Sequence, residues 1–228
     1  MSVKVVYVTS TQSEAEALKR AADYSGNEHR YHSGKADIDL LISGVGSVAT
    51  SWSLMNYISS SEKPFLAVNG GIAGSYNPEF PVGSVVMPVT DCFADSGIED
   101  GSDFRTLFEA GLASPAEYPF SNGLLKVPEG LVTLYRGIAK PVKAITVNTA
   151  TGSESTRERL MRKFHPDIET MEGAAFFYVC LKENIPFISL RSVSNIVERR
   201  NKEKWDIPAA IEQLSLKLKE LFNKIEKL

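Results

Sequence analysis

The chain has 228 residues, 43% of them hydrophobic and 23% charged, and its net charge of −3 leaves no basic face for nucleic acid. No apolar run approaches the length of a membrane span, and Met1-Ser2-Val3-Lys4 leads into a short strand rather than a signal segment, so a cytoplasmic protein off the membrane is expected. Cys92 and Cys180 lie far apart without CxxC spacing, and His29, His32 and His165 form no HxH or HxxxH pattern; buried thiols, no metal site and no cofactor are the expectation.

Val3 to Val8 is a continuous β-rich run closed by Thr9-Ser10-Thr11, and a helix starts at Ser13 with Glu14 at the junction. Ile38 to Ser43 reads as a second buried strand ending in Gly44-Val45-Gly46. Val48, Trp52, Met55 and Ile58 then mark the inner face of a helix. Phe65 to Val68 is a third strand that empties into Asn69-Gly70-Gly71-Ile72-Ala73-Gly74, read as a turn whose glycines permit positive φ and close approach to a ligand. Ser84 to Val89 is a fourth strand. From Asp91 to about Lys140 the periodicity weakens and Gly, Pro, Ser and Asp accumulate, which predicts an insertion of loops and short helices within one domain spanning 1–228.

The pattern resumes with a strand at Val142 to Val147, a helix at Ser155 to Phe164, and a buried strand at Pro186 to Leu190 that ends in the polar turn Arg191-Ser192-Val193-Ser194-Asn195. Before that last strand, Met171, Ala174, Ala175, Tyr178 and Leu181 recur at helical spacing, placing Glu172 in the first turn of an inward-packing helix. Ile207, Ile211, Leu214, Leu218, Leu221 and Ile225 predict a long amphipathic closing helix. Alternation of buried strands with helices predicts an α/β fold with a mixed, largely parallel central sheet flanked by helices. In such folds ligands bind beyond the carboxyl ends of the strands. Glu14, the Asn69 to Gly74 segment, Glu172 and Arg191 to Asn195 then converge on one pocket. The glycine-rich segment has neither P-loop nor dinucleotide-binding spacing, and no arginine or hydroxyl within it, so water is a better second substrate there than phosphate. Two carboxylates from separate segments would divide displacement at a sugar carbon, one deprotonating water and the other holding ribose hydroxyls. Either would equally serve as a helix-start residue.

These residues resemble the purine nucleoside phosphorylase and nucleosidase superfamily nearly end to end, close to methylthioadenosine/S-adenosylhomocysteine nucleosidases and most closely to futalosine hydrolases. The likeness rests on the strand leading to Glu14, on Val68 to Gly74 followed by Val82-Gly83-Ser84-Val85-Val86, on Met171-Glu172-Gly173-Ala174-Ala175, and on Val193-Ser194-Asn195. Phe93 to Gly101 and Arg200 to Ile207 look like futalosine hydrolase in particular.

The resemblance implies a nucleoside phosphorylase-like, partly barrel-like sheet and a homo-oligomer of a dimer or higher order. It further implies a cofactor-free hydrolase that splits futalosine to hypoxanthine and dehypoxanthine futalosine in menaquinone biosynthesis. By the same resemblance Glu14 is the general base and Glu172 the ribose-binding carboxylate, with Met171 against the sugar. Arg191 helps hold water and base, Gly71, Ile72 and Ala73 border the substrate, and Asn195 recognises the purine. Adenine-specific nucleosidases carry Asp where this chain has Asn195. An amide both donates and accepts, which suits a 6-oxopurine, and such a site rejects the wrong pattern by roughly 10⁴-fold. Ile72 replaces a hydroxyl of the phosphorylases and adenine nucleosidases, which favours hydrolysis. Phe93, Phe104, Tyr118 and Phe120 are candidates for stacking on the base, and Arg199 or Arg200 for pairing with the benzoate of futalosine. Adenine-specific nucleosidase, phosphorylase and a non-catalytic nucleoside-binding module are the alternatives.

Overall fold

A computed structural model describes residues 2–27, 29–101, 103–199 and 201–227. The chain opens with β1 (Val3–Thr9), α1 (Gln12–Ala21), the short strands β2 (Asp23–Tyr24) and β3 (Arg30–Ser33), then β4 (Ala36–Ile42) and α2 (Ser47–Ser60). Next come β5 (Leu66–Ser75) and β6 (Val85–Asp91), a hairpin of β7 (Gly97–Asp100) and β8 (Asp103–Thr106), β9 (Leu125–Lys126) and α3 (Glu129–Leu134). The last third holds β10 (Lys140–Thr146), α4 (Glu154–Phe164), β11 (Ile168–Thr170), α5 (Gly173–Lys182), β12 (Phe187–Ile196) and α6 (Ile207–Ile225).

The main sheet runs β11-β10-β6-β12-β5-β1-β4-β3-β2, with β9 added to β6. Because β11 also pairs antiparallel with β5, the strands β5, β12, β6, β10 and β11 close on themselves, and the sheet is part barrel and part open wing. Period-two alternation in β1 shows how the faces are filled: Val5 and Tyr7 pack with α1 and α6, while Val6 and Val8 pack with Leu54 of α2 and with α5. Ala73, Val86, Val142, Ala144, Ile168 and Val193 form a separate apolar cluster from all five closed strands. Phe176 and Phe177 of α5 pack on Phe187 at 5.8 and 4.8 Å between ring centroids, each such pair adding about 0.5–1.5 kcal/mol to its burial. Cys92 and Cys180 are free and buried, as the spacing indicated.

Three local expectations are corrected. Asn69 to Gly74 is no turn: it is the second half of β5, and none of Gly70, Gly71 and Gly74 has a positive φ. Glycine is needed there for space, since a Cβ at Gly71 would lie 2.5 Å from both Arg191 Nη1 and Glu14 Oε1. Arg191 to Asn195 likewise continues β12 as buried strand, its polar side chains enclosed by the protein rather than facing solvent. Finally, Val48, Trp52 and Met55 do not face inward. Val48 and Trp52 are 82% and 69% exposed, and α2 packs instead through Thr50 and Leu54. Spacing shows that a stripe exists but not which side of the helix meets the sheet.

Candidate active site

At the carboxyl ends of β1, β4, β5, β10, β11 and β12 the loops and strand ends surround a cavity of about 370 Å³. Its walls include Ser10, Thr11, Glu14, Val45, Ile72, Ala73, Gly74, Thr151, Glu169, Met171, Glu172, Asn195 and Trp205. This is where parallel strands leave their loops free to gather ligand groups.

Glu14 is both a helix-start residue and part of the cavity wall. It is the third residue of a capping box: Thr11 Oγ1 accepts from Glu14 N at 3.2 Å, and Thr11 N donates back to Glu14 Oε2 at 3.1 Å. Thr11 Oγ1 (3.0 Å) and Ser10 Oγ also donate to Oε2, which is thereby saturated. Among the described residues Oε1 accepts only from Ile72 N, at 2.9 Å, which leaves it a lone pair. That bond also occupies a backbone N–H that a phosphate would need.

Glu172 is the N-cap residue of α5 rather than part of its first turn, and its side chain does not cap. The first free N–H groups of the helix are met from elsewhere. Gly173 N donates to Thr170 Oγ1 at 3.2 Å and Ala174 N to Thr146 Oγ1 at 2.7 Å. The Glu172 carboxylate is thus released toward the cavity, where Oε1 accepts from Gly46 N at 3.1 Å and Oε2 lies 3.7 Å from Arg191 Nη1. Burial raises its pKa, and the Arg191 charge and the Gly46 N–H only partly offset that.

Arg191 does not line the cavity. It is buried behind it, with Nη2 donating to Asn69 Oδ1 and Nη1 facing Glu172. Its guanidinium faces the Glu172 carboxylate in a low-dielectric wall, where removing the cation would leave that buried negative charge unopposed. Gly71 also stays behind the wall, as the space that admits Arg191 and Glu14. Ile72, Ala73 and Met171 line the cavity as expected. Asn195 also lines the cavity: Oδ1 accepts from Ser194 Oγ at 2.8 Å and Nδ2 donates to Ile196 O at 3.1 Å, leaving one donor and one acceptor site.

Of the four aromatic candidates, none lines the cavity. Phe104 borders a surface groove, Phe93 and Phe120 pack in the core around α5, and exposed Tyr118 donates to Leu181 O. The aromatic present is Trp205, just before α6. Arg199 is exposed in a smaller recess that shares Ala150, Thr151, Asn195 and Trp205 with the main cavity, and Arg200 falls outside the described residues. Sequence reasoning passed over Glu169 and Thr151 altogether.

A family model described as "Phosphorylase superfamily" matches residues 4–227. The chain belongs to the phosphorylase superfamily. Among relatives of known name, a futalosine hydrolase of Streptomyces coelicolor is 29% identical over 225 residues, 92% of each chain. A 5′-methylthioadenosine/S-adenosylhomocysteine nucleosidase of a Marinomonas species is 27% identical over 189 residues, 81% of this chain and 80% of its own. The S-adenosylhomocysteine nucleosidase structure from Streptococcus pyogenes superposes with a TM-score of 0.79 at 18% identity, covering 100% of this chain and 98% of that one. That superposition shows the same overall fold, in keeping with the mixed, partly closed sheet described above.

Proposed function

We propose that the protein is a nucleoside N-glycosyl hydrolase whose substrate is futalosine, with hypoxanthine as the leaving base. One observation carries the reading: Glu14 and Glu172, from separate segments, are buried on the wall of a single cavity that Asn195 also lines, and each carboxylate keeps acceptor capacity for a ligand beyond its protein partners. The names of relatives on both sides, futalosine hydrolase and 5′-methylthioadenosine/S-adenosylhomocysteine nucleosidase, support hydrolysis of a nucleoside.

In this reading a water bound to Glu14 Oε1 gives up a proton as its oxygen adds to C1′, and the C1′–N9 bond breaks with its electrons passing to the purine. The net products carry the hydroxyl of water on the sugar and its other hydrogen on the base. Glu172 Oε2 accepts from the ribose hydroxyls and stabilises positive charge on an oxocarbenium-like sugar. Positioning in a closed wall supplies much of the rest. Asn195 presents an N–H to O6 and its oxygen to N7–H of the departing base. Ile72, whose N–H is already given to Glu14, leaves the site short of phosphate ligands. Arg199, at the edge of the adjoining recess, is proposed to meet the benzoate carboxylate. The same reading places the enzyme in the cytoplasm, in menaquinone biosynthesis, as a homo-oligomer.

The test is release of free base from futalosine, aminofutalosine, inosine and methylthioadenosine by the purified protein, with and without phosphate. Hypoxanthine from futalosine in phosphate-free buffer is the expected result. Dependence on phosphate, preference for the 6-amino substrates, or binding without turnover would each overturn it in favour of a phosphorylase, an adenine nucleosidase or a binding module.

A further inference from the structure

Glu169 occupies the middle of β11, a strand of three residues, and pairs in antiparallel register with Gly74 of β5. On the other side of β5, β12 brings Asn195 into register with the same glycine. Paired residues of neighbouring strands project to one face, and Glu169, Gly74 and Asn195 all line the cavity. The glycine leaves the floor between the two polar side chains bare. A Cβ there would come within 3.3 Å of Asn195 Nδ2 and 2.7 Å of Val197 Cγ2.

Glu169 is only 7% exposed, yet no ion pair among the described residues involves it. Three neutral donors hold it instead. Tyr76 Oη (2.7 Å) and Thr151 Oγ1 (2.5 Å) donate to Oε2, and Thr151 N (2.9 Å) donates to Oε1. Burial and the Glu169 charge both push the Tyr76 hydroxyl pKa upward, which keeps it a donor. Oε2 is therefore filled, while Oε1 retains one lone pair. A buried carboxylate without a cation, braced on one oxygen and open on the other, is built to receive a hydrogen from a ligand.

We propose that Glu169 is a base-reading residue, its Oε1 accepting the N1–H of a 6-oxopurine while Asn195 meets the O6 and N7 edge. The inference rests on the 6-oxopurine reading above and adds the atom that enforces it. An adenine ring turns a lone pair, not a hydrogen, toward the carboxylate at N1, so a single contact favours one base and repels the other. No such role was visible from the sequence, because Glu169 reads as one more acidic residue ahead of the Met171-Glu172 motif.

The test is equilibrium binding of free hypoxanthine and adenine, by calorimetry, to the wild-type chain and to Glu169→Gln. The wild type is expected to prefer hypoxanthine. In E169Q the new amide donates to adenine N1 as readily as its oxygen accepts from hypoxanthine, so the preference should shrink by roughly 10- to 100-fold. A wild type that prefers adenine would overturn the 6-oxopurine reading itself. A wild type that prefers hypoxanthine with both affinities reduced equally in E169Q would overturn the role of Glu169 alone, since a purely structural carboxylate weakens both bases together. Should E169Q not fold, Glu169→Asp keeps the charge but withdraws it from the base. It should lose about tenfold for hypoxanthine with adenine unchanged, and equal losses would again overturn the proposal.

Discussion

Glu14 bears two duties that most residues bear singly, since one of its oxygens closes the start of α1 and the other faces the cavity. Substitution by Gln keeps the shape but cannot take a proton from water. E14Q should lower kcat/KM for the nucleoside by about 10²- to 10⁴-fold, read from base release. E172Q should also cripple turnover without unfolding the chain: the helix start stays capped by Thr146 and Thr170, and a fall in melting temperature would report only the buried Arg191 charge left unopposed. Behind them Asp91 is fully buried, with Oδ1 held by Cys92 N at 2.8 Å and Thr146 Oγ1 at 3.0 Å and Oδ2 unpartnered among the described residues. Burial pushes its pKa from 3.8 up to about 7. A carboxyl raised in this way contributes its full stability below the unfolded pKa, near 4, and loses that contribution as pH rises through 7. The neutral variant D91N lacks that slope. Urea denaturation should show the stability of wild type relative to D91N falling by on the order of 2 kcal/mol between pH 5 and pH 8.

Among the elements, β5 is the one on which the site depends, and Gly71 is its tightest point. A methyl group there would collide with Glu14 Oε1 and Arg191 Nη1 together. G71A is therefore expected to cost about 1–3 kcal/mol in stability and to lower kcat more than a distant core substitution of equal cost, measured by thermal melting beside steady-state kinetics. The same strand shows where sequence reading stops. The strand-helix alternation, α6 with its buried Ile211, Leu214, Leu218 and Leu221, and the start of α1 were all legible, because each is set by local periodicity and capping. The length of β5 and β12 was not, since glycines and polar residues are usually signs of a turn, and here they are buried by partners far along the chain. Arg191 reads as a strand-end residue and is in fact the cation behind the cavity wall. Thr146, 28 residues before Ala174 in the chain, meets a helix N–H that no local pattern assigns to it. Glu169 joins the cavity only because β11 closes the barrel onto β5.

For the molecule as a whole, the unexpected surface is the outward stripe of Val48, Trp52 and Met55 on α2. Monomers seldom leave such residues side by side in water, and Val45, also exposed, carries the apolar surface to the cavity wall. A second copy of the chain is the proposed cover. Trp52→Glu should lower the mass seen in sedimentation, with far-ultraviolet circular dichroism unaltered. An unaltered mass would place the oligomer contact elsewhere. The peptide N–H that orients Glu172 belongs to Gly46, the residue that caps α2, and Ser47 Oγ reaches Met171 O at 3.5 Å. The footing of Glu172, the proposed ribose-binding carboxylate, is thus the start of the helix that bears the exposed stripe. With the proposed second copy as cover, activity per molecule should depend on how concentrated the protein is: dilution that strips α2 of that cover would slow each active site even with substrate in excess.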